Sequence, residues 1–107
     1  MPRSLVILLS LIFFFACTPG KAQDRLLIVT AAWPPYVLEE DGRPTGFDYE
    51  VMMAVLTKMG YEVNFQFLPW KRSVEMIKAQ QADGILDISK NLEREDFMHF
   101  PEEPLSE

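Results

Sequence analysis

The spacing of apolar positions changes several times along the chain, and each change predicts an element. Leu26-Leu27-Ile28-Val29-Thr30 is continuous and partly β-branched, the pattern of a central strand covered on both faces. Ala31 to Pro44 carries paired prolines at 34 and 35 and a turn at Asp41-Gly42, so a loop or short hairpin is expected there. Phe47, Val51, Val55 and Met59 then recur at every fourth position with Met52 and Leu56 beside them, which predicts a helix from about Asp48 to Met59 with one apolar face. Asp48 and Glu50 suit the positive end of its dipole, and Gly60 is a natural stop. The period falls to two over Tyr61, Val63, Phe65 and Phe67, as in an edge strand with one wetter side. Pro69 can open a second helix with Trp70, Val74 and Ile77 on one side and Lys71, Glu75 and Lys78 outward. Gly84 to Ile88 reads as a third strand, Lys90 to Asp96 as a turn or short helix, and Phe97 to Leu105 as irregular. Strands alternating with helices argue for an α/β domain with a mostly parallel sheet.

The first residues stand outside this pattern. Arg3 is followed by an apolar run from Leu5 to Ala16 interrupted only by Ser10, and Thr18-Pro19-Gly20 breaks any helix. That order predicts a secretory signal peptide over 1–22, and the run is shorter than the roughly 20 residues that span a bilayer. Gly20-Lys21-Ala22 suits cleavage before Gln23, which is the favoured route. Cleavage before a lipidated Cys17 is the alternative, although Phe14 stands where a lipobox usually has Leu. A periplasmic location follows from either.

From Gln23 onward sixteen acidic residues face eight basic ones, a net charge of −8. Nucleic acid and anionic membrane surfaces are therefore excluded as expected partners. Cys17 is the only cysteine, so no intramolecular disulfide can form. The domain must hold by packing alone.

Candidate chemistry is sparse. Arg94 follows the third strand on its carboxyl side, where open α/β sheets form ligand crevices, and its fork can grip a carboxylate through two hydrogen bonds. It can equally be a surface residue paired with Glu93, Glu95 or Asp96. Trp33 and Tyr36, in the loop after the first strand, can stack on a ligand or cover the top of the core. Trp70 fits the core better than a ligand site. Asp83 and Asp87 can be imagined as an acid–base pair but fit strand-end turns better, and His99, the sole histidine, carries no stronger case. No phosphate loop, metal cluster or cysteine nucleophile is present in the sequence after Gln23, so no cofactor and no enzymatic activity are expected.

In order along the chain, Trp33-Pro34-Pro35-Tyr36, Gly46-Phe47-Asp48-Tyr49-Glu50, Pro69-Trp70-Lys71-Arg72, Ala82-Asp83-Gly84 and Glu93-Arg94 resemble the N-terminal part of the bacterial extracellular solute-binding proteins of family 3. The resemblance implies a type II periplasmic-binding-protein-like lobe over 23–107, incomplete because the second lobe of the clamshell is absent. It places Arg94 where the family holds the ligand α-carboxylate, Trp33 where a stacking aromatic is frequent, and Ser89 on a segment that adds polar contacts. It implies an amino acid or similar small polar solute as ligand and an ABC importer as partner. Asn91-Leu92 depart from the Thr and Pro common ahead of the Glu-Arg pair. A sensory input domain, or a dehydratase or lytic-transglycosylase relative of the same fold, are the alternative readings. The sequence ends at Glu107 without a capping feature, which predicts a fragment of a longer protein.

Overall fold

The computed structural model describes residues 24–106. The predicted signal peptide and Cys17 lie outside them. Leu26 to Thr30 form the predicted central strand: β1 (Arg25–Thr30) pairs in parallel with β4 (Glu62–Phe67) on one side and β5 (Gly84–Ile85) on the other. The register runs from Arg25 opposite Glu62 to Thr30 opposite Phe67, and Ile28 and Val29 face Gly84 and Ile85. The loop after β1 contains the short hairpin of β2 (Leu38–Glu40) and β3 (Arg43–Thr45), turned by Asp41 and Gly42 in left-handed conformations. α1 (Phe47–Lys58) connects the hairpin to β4, and α2 (Trp70–Lys78) connects β4 to β5. α3 (Leu92–Glu95) is a single turn, capped by Asn91, whose side chain accepts from the Arg94 amide at 2.8 Å.

The chain steps from β1 to β4 in one direction and then crosses back over β1 to β5. With right-handed crossovers, that reversal puts α1 and α2 on opposite faces of the sheet. The side chains agree. Leu26 and Ile28 of β1 share a cluster with Val63, Phe65 and Phe67 of β4 and with Tyr49, Met52 and Leu56 of α1. Tyr49 meets Phe65 edge-on at 5.0 Å between ring centres, and Phe65 meets Phe67 in the same way at 5.3 Å. Val29 is fully buried on the other face, toward which α2 turns its buried Ser73 and Ile77.

Two expectations need correction. The row Phe47, Val51, Val55, Met59 is not the packed face of α1. These four side chains are 46–67% exposed, because Tyr49, Met52 and Leu56 on the neighbouring side of the helix meet the sheet instead. The third strand is also shorter than Gly84 to Ile88, since Asp87 adopts φ 59° and turns the chain away after two paired residues.

Candidate functional site

In a parallel sheet every strand ends at the same edge, so the loops after β1, β4 and β5 gather at one place. Those loops carry the predicted site residues. Trp33 and Tyr36 follow β1, Trp70 opens α2 just after β4, and Ser89 and Arg94 follow β5. β1 lies between the two strands reached by crossing in opposite directions, which makes this edge the topological switch point of the sheet.

Ser89, Arg94 and Trp70 are brought together. One terminal nitrogen of Arg94, Nη1, donates to the Ser89 carbonyl at 2.7 Å and to the Ser89 hydroxyl at 2.9 Å. The guanidinium carbon lies 5.9 Å from the centre of the Trp70 ring, a cation–π distance. Arg94 does not pair with Glu93, Glu95 or Asp96; Glu95 is held instead by Lys90 at 3.2 Å. Two Nη1 protons are thus engaged, while the Nε and Nη2 edge has no partner among the described residues. Trp70, half-buried, is neither a pure core residue nor free of the site. It lines a cleft of about 260 Å³ with Arg94, Asn91, Val74, Lys78 and Phe97, and Lys78 Nζ sits 5.1 Å from the Phe97 ring centre.

Trp33 and Tyr36 form the other half of the edge, and no hydrogen bond ties them to the Arg94 group among the described residues. The Trp33 amide and carbonyl both bond Val37, closing a tight loop around Pro34 and Pro35, whose peptide bond is cis. The Trp33 side chain is 64% exposed, whereas Tyr36 is half-buried. Gly46 anchors this loop to the start of α1. At φ 114° it occupies backbone space that other residues avoid, and a Cβ there would press on the Tyr36 carbonyl and lie 2.9 Å from the Val37 Cα.

Asp83 and Asp87 leave β5 at opposite ends and do not form an acid–base pair. Asp83 extends the ladder: its carboxylate accepts from the Leu27 amide at 2.7 Å and its own amide donates to the Leu27 carbonyl at 2.8 Å. Asp87 joins a partner that the sequence does not reveal. Asp48, in the first turn of α1, is buried to 3% exposure and accepts from the Ser106 hydroxyl at 2.8 Å. Burial, followed by a hydrogen bond and charge repulsion from Asp48, raises the Asp87 carboxyl to about 7. A GFD-type helix start is visible in the sequence, but its pairing with a carboxyl 39 residues later is not. His99 is exposed, and among the described residues no His, Cys, Asp and Glu cluster could hold a metal ion.

Comparison with known proteins gives the geometry a family. Residues 26–106 match the model of the bacterial extracellular solute-binding proteins, family 3. A polar amino acid ABC uptake transporter substrate-binding protein from Streptococcus thermophilus is 30% identical over 73% of this chain, with a TM-score of 0.67. The L-cystine solute receptor of Neisseria gonorrhoeae, in its unliganded open conformation, is 27% identical over 69% of the chain at a TM-score of 0.61. An ancestral arginine-binding protein bound to arginine shares the fold, at 22% identity over 70% of the chain and a TM-score of 0.64. No curated protein matches the chain. The chain spans about a third of the length of these solved structures, covering 31%, 33% and 34% of them respectively for the Streptococcus, Neisseria and ancestral proteins. With the family match running through the sheet, both crossover helices and the Arg94 turn, this chain belongs to the bacterial extracellular solute-binding proteins, family 3.

Proposed function

We propose that the chain is the N-terminal lobe of an exported solute-binding protein, that it holds an amino acid or similar small polar solute by its carboxylate, and that it serves ABC-type uptake from the periplasm. The observation that carries this reading is the state of Arg94. Ser89 fixes one side of the guanidinium and Trp70 backs its face, leaving Nε and Nη2 side by side at the carboxyl edge of the sheet. Two parallel donors on a preoriented fork fit the two oxygens of a carboxylate, and the ordering cost of the long side chain is already met by Ser89. Ser89 is a positioning residue in this arrangement. Trp33, exposed on the neighbouring loop, supplies an aromatic face for the ligand body, and Tyr36 supports that loop.

The names of the structural neighbours support the ligand class. One is a polar amino acid uptake protein, one an L-cystine receptor, and the ancestral protein was solved with arginine and with glutamine. All of these ligands are α-amino acids, so a carboxylate grip is the contact they can share. Export through the 1–22 leader fits the family's extracellular role. The other polar groups of the ligand are met, in this reading, by a facing lobe in a longer protein.

The test is a nuclear magnetic resonance titration of the chain with amino acids and with their carboxamides. Because one lobe leaves the ligand half in water, binding is expected in the millimolar range, about −4 kcal/mol. Shifts should centre on Arg94, Ser89 and the Trp33 and Trp70 indoles, vanish for the carboxamides, and vanish in Arg94→Ala. Arg94→Lys should retain only part of the response, since a point charge keeps attraction without the fork. A folded Arg94→Ala chain that titrates like the parent would sink the proposal.

A further inference from the structure

Two carboxyl groups, one buried and one half-buried, link the two halves of the ligand edge. Asp48, in the first turn of α1, is 3% exposed, and its amide donates to the Tyr36 carbonyl at 2.9 Å, in the loop that carries Trp33. Asp87 follows β5 and stands two residues ahead of Ser89, whose carbonyl and hydroxyl hold Arg94. At φ 59° it turns the chain out of the strand toward that grip. The strand end behind it is anchored, because the Leu86 amide donates to the Val29 carbonyl at 3.1 Å and the Thr30 hydroxyl donates to the Leu86 carbonyl at 2.8 Å. From this position the Asp87 side chain hydrogen-bonds Asp48.

A hydrogen bond between two carboxyl groups needs a proton, since carboxylates only accept. Among the described residues no cation stands in for it. The ion pairs there are Arg25–Glu62 and Lys90–Glu95, and neither includes Asp48 or Asp87. Asp87 Oδ2 is buried without a donor from another group, Asp48 Oδ2 accepts from the Ser106 hydroxyl, and the Thr30 hydroxyl on β1 is committed to Leu86. With the proton in place the two segments are joined. Without it, two like charges meet at a site poor in water.

We propose that Asp87 and Asp48 are positioning residues for the ligand edge: the protonated pair fastens the turn bearing Ser89 and Arg94 to the start of α1 and the Trp33–Tyr36 loop bonded to it, and loss of the proton releases one from the other. The effect on a ligand rests on the carboxylate grip at Arg94; the fastening itself does not. A ligand that uses both halves of the edge binds the fastened form better, so its affinity falls as pH rises through about 7, where the Asp87 carboxyl loses its proton.

Nuclear magnetic resonance of the chain without ligand, at pH 6 and at pH 8, reads the fastening. Nuclear Overhauser contacts between residues 86–89 and 46–49 should be present at pH 6 and weaken by about twofold or more at pH 8, with circular dichroism confirming that the chain stays folded. Asp87→Asn and Asp48→Asn each supply an amide donor that does not depend on pH, so in both variants the contacts should persist at pH 8. L-Glutamine, whose side chain does not titrate, is the ligand probe. Its dissociation constant should rise about threefold to tenfold from pH 6 to pH 8 in the parent, and change by less than about twofold in either variant. His99 is present in all three chains, so its charge cancels from the comparison. Contacts that pH leaves unchanged in the parent would overturn the proposal, as would a loss at pH 8 that both variants share. Glutamine binding with the same affinity at both pH values in the parent would remove the positioning role. Contacts that respond as expected in a chain that binds no glutamine would keep the fastening and count against the carboxylate grip.

Discussion

Asp87→Asn is expected to stabilise the fold at pH 8 and to leave it nearly unchanged at pH 4. In the folded chain the Asp87 carboxyl stays protonated up to about 7, against 3.8 for an unperturbed group, so between those values the folded state binds more protons than the unfolded state. Stability then falls as pH rises. Its full contribution is present below about pH 4 and is lost as pH passes through 7. At 1.36 kcal/mol per pH unit the displacement sets a ceiling of about 4 kcal/mol. Asp87 is only half-buried, and solvent screening reduces the working figure to about 1–2 kcal/mol. Asparagine keeps the shape, tolerates φ near 59°, and can still hydrogen-bond Asp48 without a second negative charge. Urea unfolding of parent and variant from pH 4 to 8 measures the difference, and titrating groups common to both cancel. The two stabilities should diverge by about 1–2 kcal/mol across that range at constant m-value. Parallel profiles would refute the raised Asp87 carboxyl.

Four further expectations follow from single contacts. Gly46→Ala should cost more than about 2 kcal/mol, because it forces a Cβ against the Tyr36 carbonyl at φ 114°; a melting temperature like the parent's would contradict the packing of that loop. Ser73→Ala should be neutral or raise stability by about 0.5–1 kcal/mol, since the Ser73 hydroxyl is fully buried without a partner; a clear loss in chemical denaturation would show that the hydroxyl is satisfied. Thr30→Val should cost about 1–2 kcal/mol, because it removes the buried hydroxyl that donates to the Leu86 carbonyl at 2.8 Å; unchanged hydrogen exchange at β5 would contradict this link. Trp33→Ala should leave stability within about 0.5 kcal/mol while weakening amino-acid binding, so a destabilised variant with intact binding would make Trp33 a core residue.

The sheet is legible in the sequence because its signals are local. Leu26 to Thr30 has no polar break, Val63, Phe65 and Phe67 alternate with Glu62, Asn64 and Gln66, and Asp41-Gly42 turns a hairpin. α1 is legible as a helix but not in its rotation. Two apolar rows share it, and only the position of Phe65 on β4 selects Tyr49, Met52 and Leu56 as the inward row. The end of β5 is missed for a related reason. Ile85-Leu86-Asp87-Ile88 has strand composition, whereas the left-handed turn at Asp87 comes with its placement against Asp48. At the site, Arg94, Ser89 and Trp70 are found by their place after strands, yet the division of the guanidinium into a held side and a free side depends on the turn from Ser89 to Asn91. Asp83 reads as a solvated turn former because nothing local shows that the Leu27 amide lies within its reach.

The central position of β1 also bears on how the chain folds. Its partners are far off in sequence: Arg25 meets Glu62 across 37 residues, and Thr30 meets Leu86 across 56. Closing loops of that length costs chain entropy before any ladder bond can repay it, and proteins wired in this way fold slowly. Of the described elements β1 is the first to be synthesised and the last to be enclosed, since it has no strand neighbour until β4 appears and none on its second side until β5 does. An architecture whose keystone waits for residues 56 positions downstream delays the native structure by topology.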